Sequence, residues 1–150
     1  MSLEKYRKIY KQKRNYSIGV EEEFMICDPI KGLLVNKAHE IMSSVSNKDR
    51  YSYELLLSEI ETNTPICNTV DESIDFLSKQ RRELKEIGDK KGFRIGVSGT
   101  HPLAMASEQK FVSDSSYSWV SDQLRYYAQR NITFSTHIHI SVDDADRAIK

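Results

Sequence analysis

In two segments of this 150-residue chain, apolar side chains alternate with mostly polar ones. This pattern constrains the fold more than any other feature. A period of two residues is typical of a β-strand with one face against a core. One face is predicted to hold Ile18, Val20, Phe24 and Ile26 in residues 16–27, and Ile132, Phe134, Thr136, Ile138, Ile140 and Val142 in residues 132–142. The opposite faces carry the acidic residues and the histidines.

Helical patterns lie between these two strands. Thr69 and Glu72 form a capping-box pattern at the start of a long helix, and Gly88 is predicted to end it. Shorter helices are expected over residues 37–48 and 117–129. The core face of the long helix is predicted to hold Ile74, Leu77, Leu84 and Ile87.

The remaining segments predict further extended structure. Phe93–Ser98 has the composition of a strand and is followed by turn residues 99–102. Residues 53–67 are ambiguous, but an extended stretch over Ser58–Thr64 is favoured because Pro65 disfavours a helix at its preceding residue. Separate strands and helices of this kind predict an α+β fold.

Composition excludes several classes of protein. The chain has 22 Lys+Arg and 22 Asp+Glu, so its formal net charge is zero and a strongly basic nucleic-acid binder is not expected. It contains neither a long apolar run nor a signal-peptide pattern, so we expect no membrane segment and a cytoplasmic location. Cys27 and Cys67 lack zinc-binding spacing, which favours a reduced protein.

Charge divides the chain into two parts. Residues 1–15 form a basic N-terminal lead, and residues 16–150 are predicted to form one domain. A helical pattern that begins after Asp143 still continues at Lys150, so we expect the chain to be truncated.

Glu21 and Glu23 are the first candidate ligands. Two residues apart on a strand, their carboxylates leave the same face about 7 Å apart. Gly19 leaves that face open to a ligand. Adjacent like charges repel and are stabilised by a cation between them, although a solvated acidic strand face would show the same pattern.

His137 and His139 are the second candidates, again two residues apart on one strand face. Neutral imidazoles at this spacing can bind one metal or approach one phosphate. Two histidines on a polar sheet face are the alternative.

Three further glutamates precede the Asn63-Thr64-Pro65 turn. In an extended chain Glu59 and Glu61 share a face, whereas in a helix Glu54 and Glu61 would share one. His101, at a strand end, is either a site-lining residue or a hydrogen-bonded structural one. Strands with this many carboxylates predict a site for Mg²⁺ or Mn²⁺ rather than zinc, of the type that holds nucleotide phosphates.

Four short segments occur in a recognisable order along the chain. They are Gly19–Phe24 (GVEEEF), Glu61–Cys67 (ETNTPIC), Gly99–Pro102 (GTHP), and His137–Ile140 (HIHI) followed by Asp143–Ile149 (DDADRAI). Together they resemble glutamate–cysteine ligase family 2, also called carboxylate–amine ligases. The resemblance extends over residues 16–150.

This resemblance implies a fold like the catalytic domain of glutamine synthetase, with a curved antiparallel sheet and flanking helices. It implies ATP and two or more Mg²⁺ (or Mn²⁺) ions. The γ-carboxylate of glutamate would attack ATP to give an acyl phosphate, and the amine of cysteine or a similar compound would displace phosphate. The positions that match the family's metal ligands are Glu21, Glu23, Glu54, Glu61 and His137. His139 matches a position next to the nucleotide or the metals, and His101 is assigned a site-lining role toward nucleotide or substrate.

The chain departs from the family in two respects. Ser135 and Thr136 stand where members usually carry glycine before the His-x-His pair. Members are also more than twice as long, and their second half supplies another metal-binding acid and arginines that neutralise phosphate. This chain is therefore expected to be the N-terminal half of such an enzyme and inactive alone, with the amine acceptor and a homo-oligomeric state left open.

Two other functions remain open at this point. His-x-His with a carboxylate also occurs in metal-dependent hydrolases and oxygenases, which would use Zn²⁺ or Fe²⁺ and ignore ATP. A non-catalytic binding domain could keep the same fold without the second half.

Overall fold

The computed structural model describes residues 3–10, 16–113 and 131–149. Within them, five strands form an open antiparallel sheet in the order β2-β3-β1-β4, with β5 also paired to β1. The strands are β1 (Ile18–Cys27), β2 (Tyr51–Ser52), β3 (Glu59–Asn63), β4 (Arg94–Gly96) and β5 (Thr136–Ile140). The helices are α1 (Leu3–Tyr10), α2 (Ala38–Ser44), α3 (Val70–Lys91) and α4 (Ala145–Ala148), with single 3₁₀ turns at Lys48–Arg50 and Ala106–Glu108. The predicted α+β class, an antiparallel sheet with flanking helices, is confirmed.

Strand β1 is the centre of the sheet because it has partners along both edges. One edge pairs with β3, from Glu21 opposite Asn63 to Met25 opposite Glu59. The other edge pairs first with β5 and then with the shorter β4. Nearly every strand contact in the described sheet therefore passes through these ten residues.

Two apolar clusters enclose the carboxyl-terminal half of β1. Phe24 and Ile26 point to one side and pack with Ile41 of α2 and Leu84 of α3. On the other side the cluster holds Met25, Cys27, Leu55, Leu56, Ile132 and Phe134. Because both faces are apolar at this end, the charged residues of β1 are confined to Glu21–Glu23 in its middle.

The predicted strand over residues 132–142 is shorter than expected, and its apolar side chains do not share one environment. Ile132 and Phe134 are buried in the cluster of Met25, whereas Ile138 and Ile140 are 67% and 50% exposed. Residues 131–134 lie outside the ladder with β1: the Phe134 N–H donates to the Gly99 carbonyl, and pairing with β1 begins where the Ser135 carbonyl accepts a hydrogen bond from the Glu23 N–H. The alternation of side chains predicts which face of the sheet a residue occupies only where its strand stays paired with the neighbouring strand.

Helix α3 begins as predicted but ends later. The Thr69 side chain accepts a hydrogen bond from the Glu72 N–H, as the capping pattern requires. The helix continues through Gly88 to Lys91 and stops at Gly92, whose φ of 72° is in the left-handed region. Ile74, predicted to face the core, is 52% exposed, because the neighbouring Ser73 occupies the buried face of the first turn instead.

Gly88 does not end the helix, but its lack of a side chain is required for packing. A Cβ atom at this position would lie 2.7 Å from the Phe93 carbonyl oxygen, because the chain turns back onto the helix at once.

The helix expected over residues 117–129 lies outside the described part of the chain. Among the residues that are described, no helix is long and apolar enough to cross a membrane.

We expect Gly88→Ala to destabilise the protein. Overpacking costs about 1–3 kcal/mol, which outweighs the helix-propensity gain of about 1 kcal/mol from alanine, since the clash is with backbone. Gly99→Ala is the control, because a Cβ atom at Gly99 would meet no other atom within 4 Å. Urea midpoints of both variants check this, and an unchanged midpoint in Gly88→Ala would contradict the packing role.

Candidate metal centre

The Glu21–Glu23 segment of β1 lies next to an acidic side chain of β3 and an imidazole side chain of β5. Glu23 lies opposite Glu61 of β3, and Glu21 lies opposite His137 of β5. Directly opposed side chains in an antiparallel pair point to the same face with Cβ atoms about 4.5–5.5 Å apart. The register of three strands therefore creates the cluster.

The potential ligand atoms form two overlapping groups. One comprises Glu21, Glu61 and His137, and the other comprises Glu23, Glu54 and Glu61; within each, the ligand atoms lie within 4.8 Å of one another. Glu61 belongs to both groups, so the cluster can hold two neighbouring cations that share one carboxylate. All five side chains predicted as metal ligands are thus brought together, and their role as ligands remains a prediction.

The ambiguous segment before Pro65 is extended at its end and irregular before it. Glu59 and Glu61 share a face of β3, as the extended alternative predicts. Glu54 nevertheless reaches the same cluster, from the loop that precedes the strand. The helical alternative is wrong, because Glu54 lies in a loop and reaches the cluster without helical spacing.

Two carboxylates of this cluster are held in surroundings that disfavour their charged forms. Burial raises the pKa of Glu54, and the charges of Glu23 and Glu21 add to that effect. Burial likewise raises the pKa of Glu61. Repelling carboxylates in a half-buried site favour either protons or metal ions.

Ser135 joins two of the candidate ligands. Its N–H and its hydroxyl both donate to Glu23 Oε2, at 2.6 and 2.8 Å, and its oxygen lies 3.1 Å from His137 Nε2. The sequence places Ser135 on the face of His137 and His139 and marks it as a departure from the family glycine, but does not predict its contact with Glu23. Its position two residues before His137 was the available signal for a shared face.

His139 lies at the rim of the centre. Its Nε2 is 3.1 Å from Glu21 Oε2, while His137 Nδ1 is 3.2 Å from the same oxygen. Hydrogen bonding to His139 is the largest cause that lowers the pKa of Glu21. Both imidazoles are more than half exposed, so each remains open to a ligand.

His101 is not brought to this cluster. Its Nδ1 accepts hydrogen bonds from the Ala104 and Leu103 N–H groups, at 2.9 and 3.2 Å, so the proton is on Nε2, which donates to the Gly32 carbonyl at 2.7 Å. The side chain is buried and ties two loops together. Both ring nitrogens are therefore occupied by backbone, which leaves the predicted site-lining role without a free donor or acceptor.

Glu22 points to the opposite side of the sheet, as the alternation of β1 predicts. It is 5% exposed and accepts a hydrogen bond at 2.9 Å from Arg81 Nε of α3, with a second contact from the same guanidinium. Sequence analysis did not identify this ion pair, because nothing in the helix pattern singles out Arg81.

Glu59 is the most buried acid of the centre and was not among the predicted ligands. It is 3% exposed, and burial raises its pKa to about 9, with the charges of Glu23, Glu54 and Glu61 adding to the effect. Its Oε1 has no hydrogen-bond partner among the residues described.

This centre defines the chain as a protein with an acid-rich, oxygen-donor site on an antiparallel sheet. Residues 17–150 match the sequence model of glutamate–cysteine ligase family 2. Since the match covers most of the chain, the chain belongs to that family.

Individual relatives agree with this assignment. A glutamate–cysteine ligase of Natronomonas pharaonis is 34% identical over 140 residues, covering 91% of this chain and 38% of that protein. A protein of Rubrobacter xylanophilus, named provisionally as glutamate–cysteine ligase 2-1, is 36% identical over 137 residues, covering 90% of this chain and 36% of that protein. The chain thus spans little more than a third of the length of the curated relatives it matches.

We expect His137→Ala to weaken Mn²⁺ binding about tenfold or more, because it removes a ligand. In the wild type, Mn²⁺ affinity should also fall as pH drops, because metal ligands bind only in their deprotonated form. His101→Ala should leave Mn²⁺ affinity unchanged and lower stability by about 1–3 kcal/mol, since buried backbone groups lose their partner. Isothermal titration and urea unfolding separate the two; unchanged Mn²⁺ affinity in His137→Ala would refute its role as a ligand.

With metals chelated, the melting temperature should fall as pH rises from about 5 toward 9. The pKa of Glu59 is raised from 4.5 to about 9 in the fold. Its contribution is therefore present below the unfolded-state pKa and lost as pH rises through the folded-state pKa. Glu59→Gln imitates the protonated form and should flatten the profile; identical slopes in wild type and variant, measured by calorimetry, would contradict this.

Proposed function

We propose that this chain belongs to the catalytic domain of an ATP-dependent carboxylate–amine ligase. The reaction joins the γ-carboxylate of glutamate to the amine of cysteine or a similar amino compound through an acyl phosphate. One observation carries the proposal: the five residues that match the family's metal ligands, Glu21, Glu23, Glu54, Glu61 and His137, lie together in one cluster. Family membership supplies the reaction class.

The donor set fits Mg²⁺ or Mn²⁺. Four carboxylates and one imidazole are mostly hard oxygen donors, which suit these ions better than zinc. Such ions, when bound, neutralise the negative charge of nucleotide phosphates and of the developing acyl phosphate.

The residues of this chain would act mainly by positioning. Ser135 fixes one oxygen of Glu23 with two hydrogen bonds, so the other oxygen is left for a ligand. His139, exposed beside Glu21, is placed to contact phosphate. Phosphoryl transfer depends chiefly on such positioning and charge neutralisation.

The domain prediction becomes part of this proposal. Residues 16–150 would form the N-terminal part of the catalytic domain, after the basic lead of residues 1–15. The phosphate-binding arginines and a further acid would come from the remainder of the protein, as would any homo-oligomeric contact. Cys27 and Cys67 are free and buried, which fits a reducing cytoplasmic compartment. Glutamate and an amine would be the partners, with neither nucleic acid nor membrane involved.

The test is phosphate release by the complete protein that carries this chain. Release from ATP should require glutamate, an amine such as cysteine, and Mg²⁺ or Mn²⁺. Glu23→Gln should reduce turnover about 10²-fold or more, because charge stabilisation of the transferred phosphate is lost. Glu22→Gln is the matched control on the other face of the same strand, and it should lower stability but not Mn²⁺ affinity.

Two outcomes would overturn the proposal. Stoichiometric zinc or iron with no effect of ATP on activity or melting temperature would favour the hydrolase or oxygenase alternative. Equal loss of turnover in Glu22→Gln and Glu23→Gln would mean that the polar face of β1 is not the site.

A further inference from the structure

Asn63 is the last residue of β3 and lies on the face of the sheet that carries the candidate metal centre. It follows Glu61 by two residues, so the two side chains leave the strand on the same side. Across the ladder it lies opposite Glu21 of β1. Asn63 is therefore next to two of the predicted metal ligands, although no motif marks it as one.

The side-chain amide of Asn63 connects Glu61 to the neighbouring strand. Its Nδ2 donates to Glu61 Oε1 at 3.2 Å and to Ser52 Oγ of β2 at 2.9 Å. An ionised carboxylate can only accept hydrogen bonds, so the amide nitrogen and not the amide oxygen must face Glu61. Both hydrogens of the NH₂ group then have an acceptor.

The backbone of Asn63 is fixed from the helix side. Its carbonyl accepts a hydrogen bond at 3.0 Å from Nε2 of Gln80 in α3, which also donates to the Arg50 carbonyl at 3.1 Å. Gln80 is buried, so these bonds are shielded from water. Because both the backbone and the amide of Asn63 have partners, the donor that meets Glu61 is held in place before any ligand binds.

Glu61 is the ligand whose orientation matters most. It belongs to both groups of potential ligand atoms, one with Glu21 and His137 and the other with Glu23 and Glu54. Within the described ranges, its carboxylate accepts a hydrogen bond from Asn63 alone. Loss of that bond would leave the shared ligand free to rotate.

We propose that Asn63 is a positioning residue of the metal centre. Its N–H group holds Oε1 of Glu61, so that the carboxylate keeps the orientation in which it belongs to both ligand groups. The inference rests on the proposed function, because it takes Glu61 as a ligand of Mg²⁺ or Mn²⁺. Hydrogen-bond partners that orient a metal ligand contribute about 10- to 100-fold to metal affinity.

A purely structural role for Asn63 would act through Ser52 instead. Ser52 lies opposite Glu61 in the pairing of β2 with β3, and its bond to Asn63 links the two strands. Ser52→Ala removes this link and keeps the donor to Glu61. It is therefore the matched control for substitutions of Asn63.

The experiment measures Mn²⁺ affinity by isothermal titration of the complete protein without ATP. Asn63→Ala and Asn63→Val both remove the donor, and valine also retains a residue type that favours strands. Both variants should bind Mn²⁺ about 10- to 100-fold more weakly than wild type, and Ser52→Ala should differ less than about twofold. The electron paramagnetic resonance spectrum of bound Mn²⁺ should change in the Asn63 variants alone, because it reports the arrangement of ligands.

Three results would overturn the inference. Wild-type Mn²⁺ affinity in both Asn63 variants would show that Glu61 needs no orienting partner. An equal loss of affinity in Ser52→Ala would make Asn63 a structural link between β2 and β3. Failure of both Asn63 variants to fold, with Ser52→Ala folded, would assign the residue to stability rather than to the ligand.

Failure of the proposed function is distinguishable from failure of this inference. If the wild type binds Mn²⁺ but releases no phosphate from ATP, the ligase function fails, and the Mn²⁺ affinities still decide the role of Asn63. If phosphate is released and the Asn63 variants bind Mn²⁺ as wild type does, this inference alone fails. Absence of Mn²⁺ binding in the wild type would overturn both.

Discussion

Pairing of β1 along both of its edges is the constraint on which the rest of the structure depends. The ladder with β3 sets Glu23 opposite Glu61, two like charges that destabilise a strand pair when they face each other. The same strand offsets this cost a few residues later, where Phe24 and Ile26 are buried against the helices. One strand thus couples an unfavourable electrostatic cluster to the apolar core that holds it together.

The sequence predicts the structure correctly where the two-residue period of a β-strand alone determines which face a side chain occupies. Alternation alone placed Glu21 and Glu23 on one face and Glu22 on the other. It failed at residues 132–134, which lie outside the ladder with β1, and at Gly88, where space rather than φ requires glycine.

The burial of Glu59 shows a different limit of sequence reasoning. A period of two places its side chain on the site face, but its surroundings include residues 131–135, far away in sequence, which line the same cavity as Glu59. No local pattern around Glu59 contains that information. The same is true of Ser135, whose bond to Glu23 joins residues 112 positions apart.

The ion pair between Glu22 and Arg81 lies on the helix side of the sheet, opposite the candidate metal centre. If β1 slipped by one residue against its neighbours, Glu22 would turn toward the metal centre and its two flanking glutamates would turn into the core. The guanidinium of Arg81 is bound to Glu22 from the helix side and opposes that slip. The register of the candidate metal face is therefore supported from the rear of the sheet, and loss of Arg81 would appear first as a loss of stability.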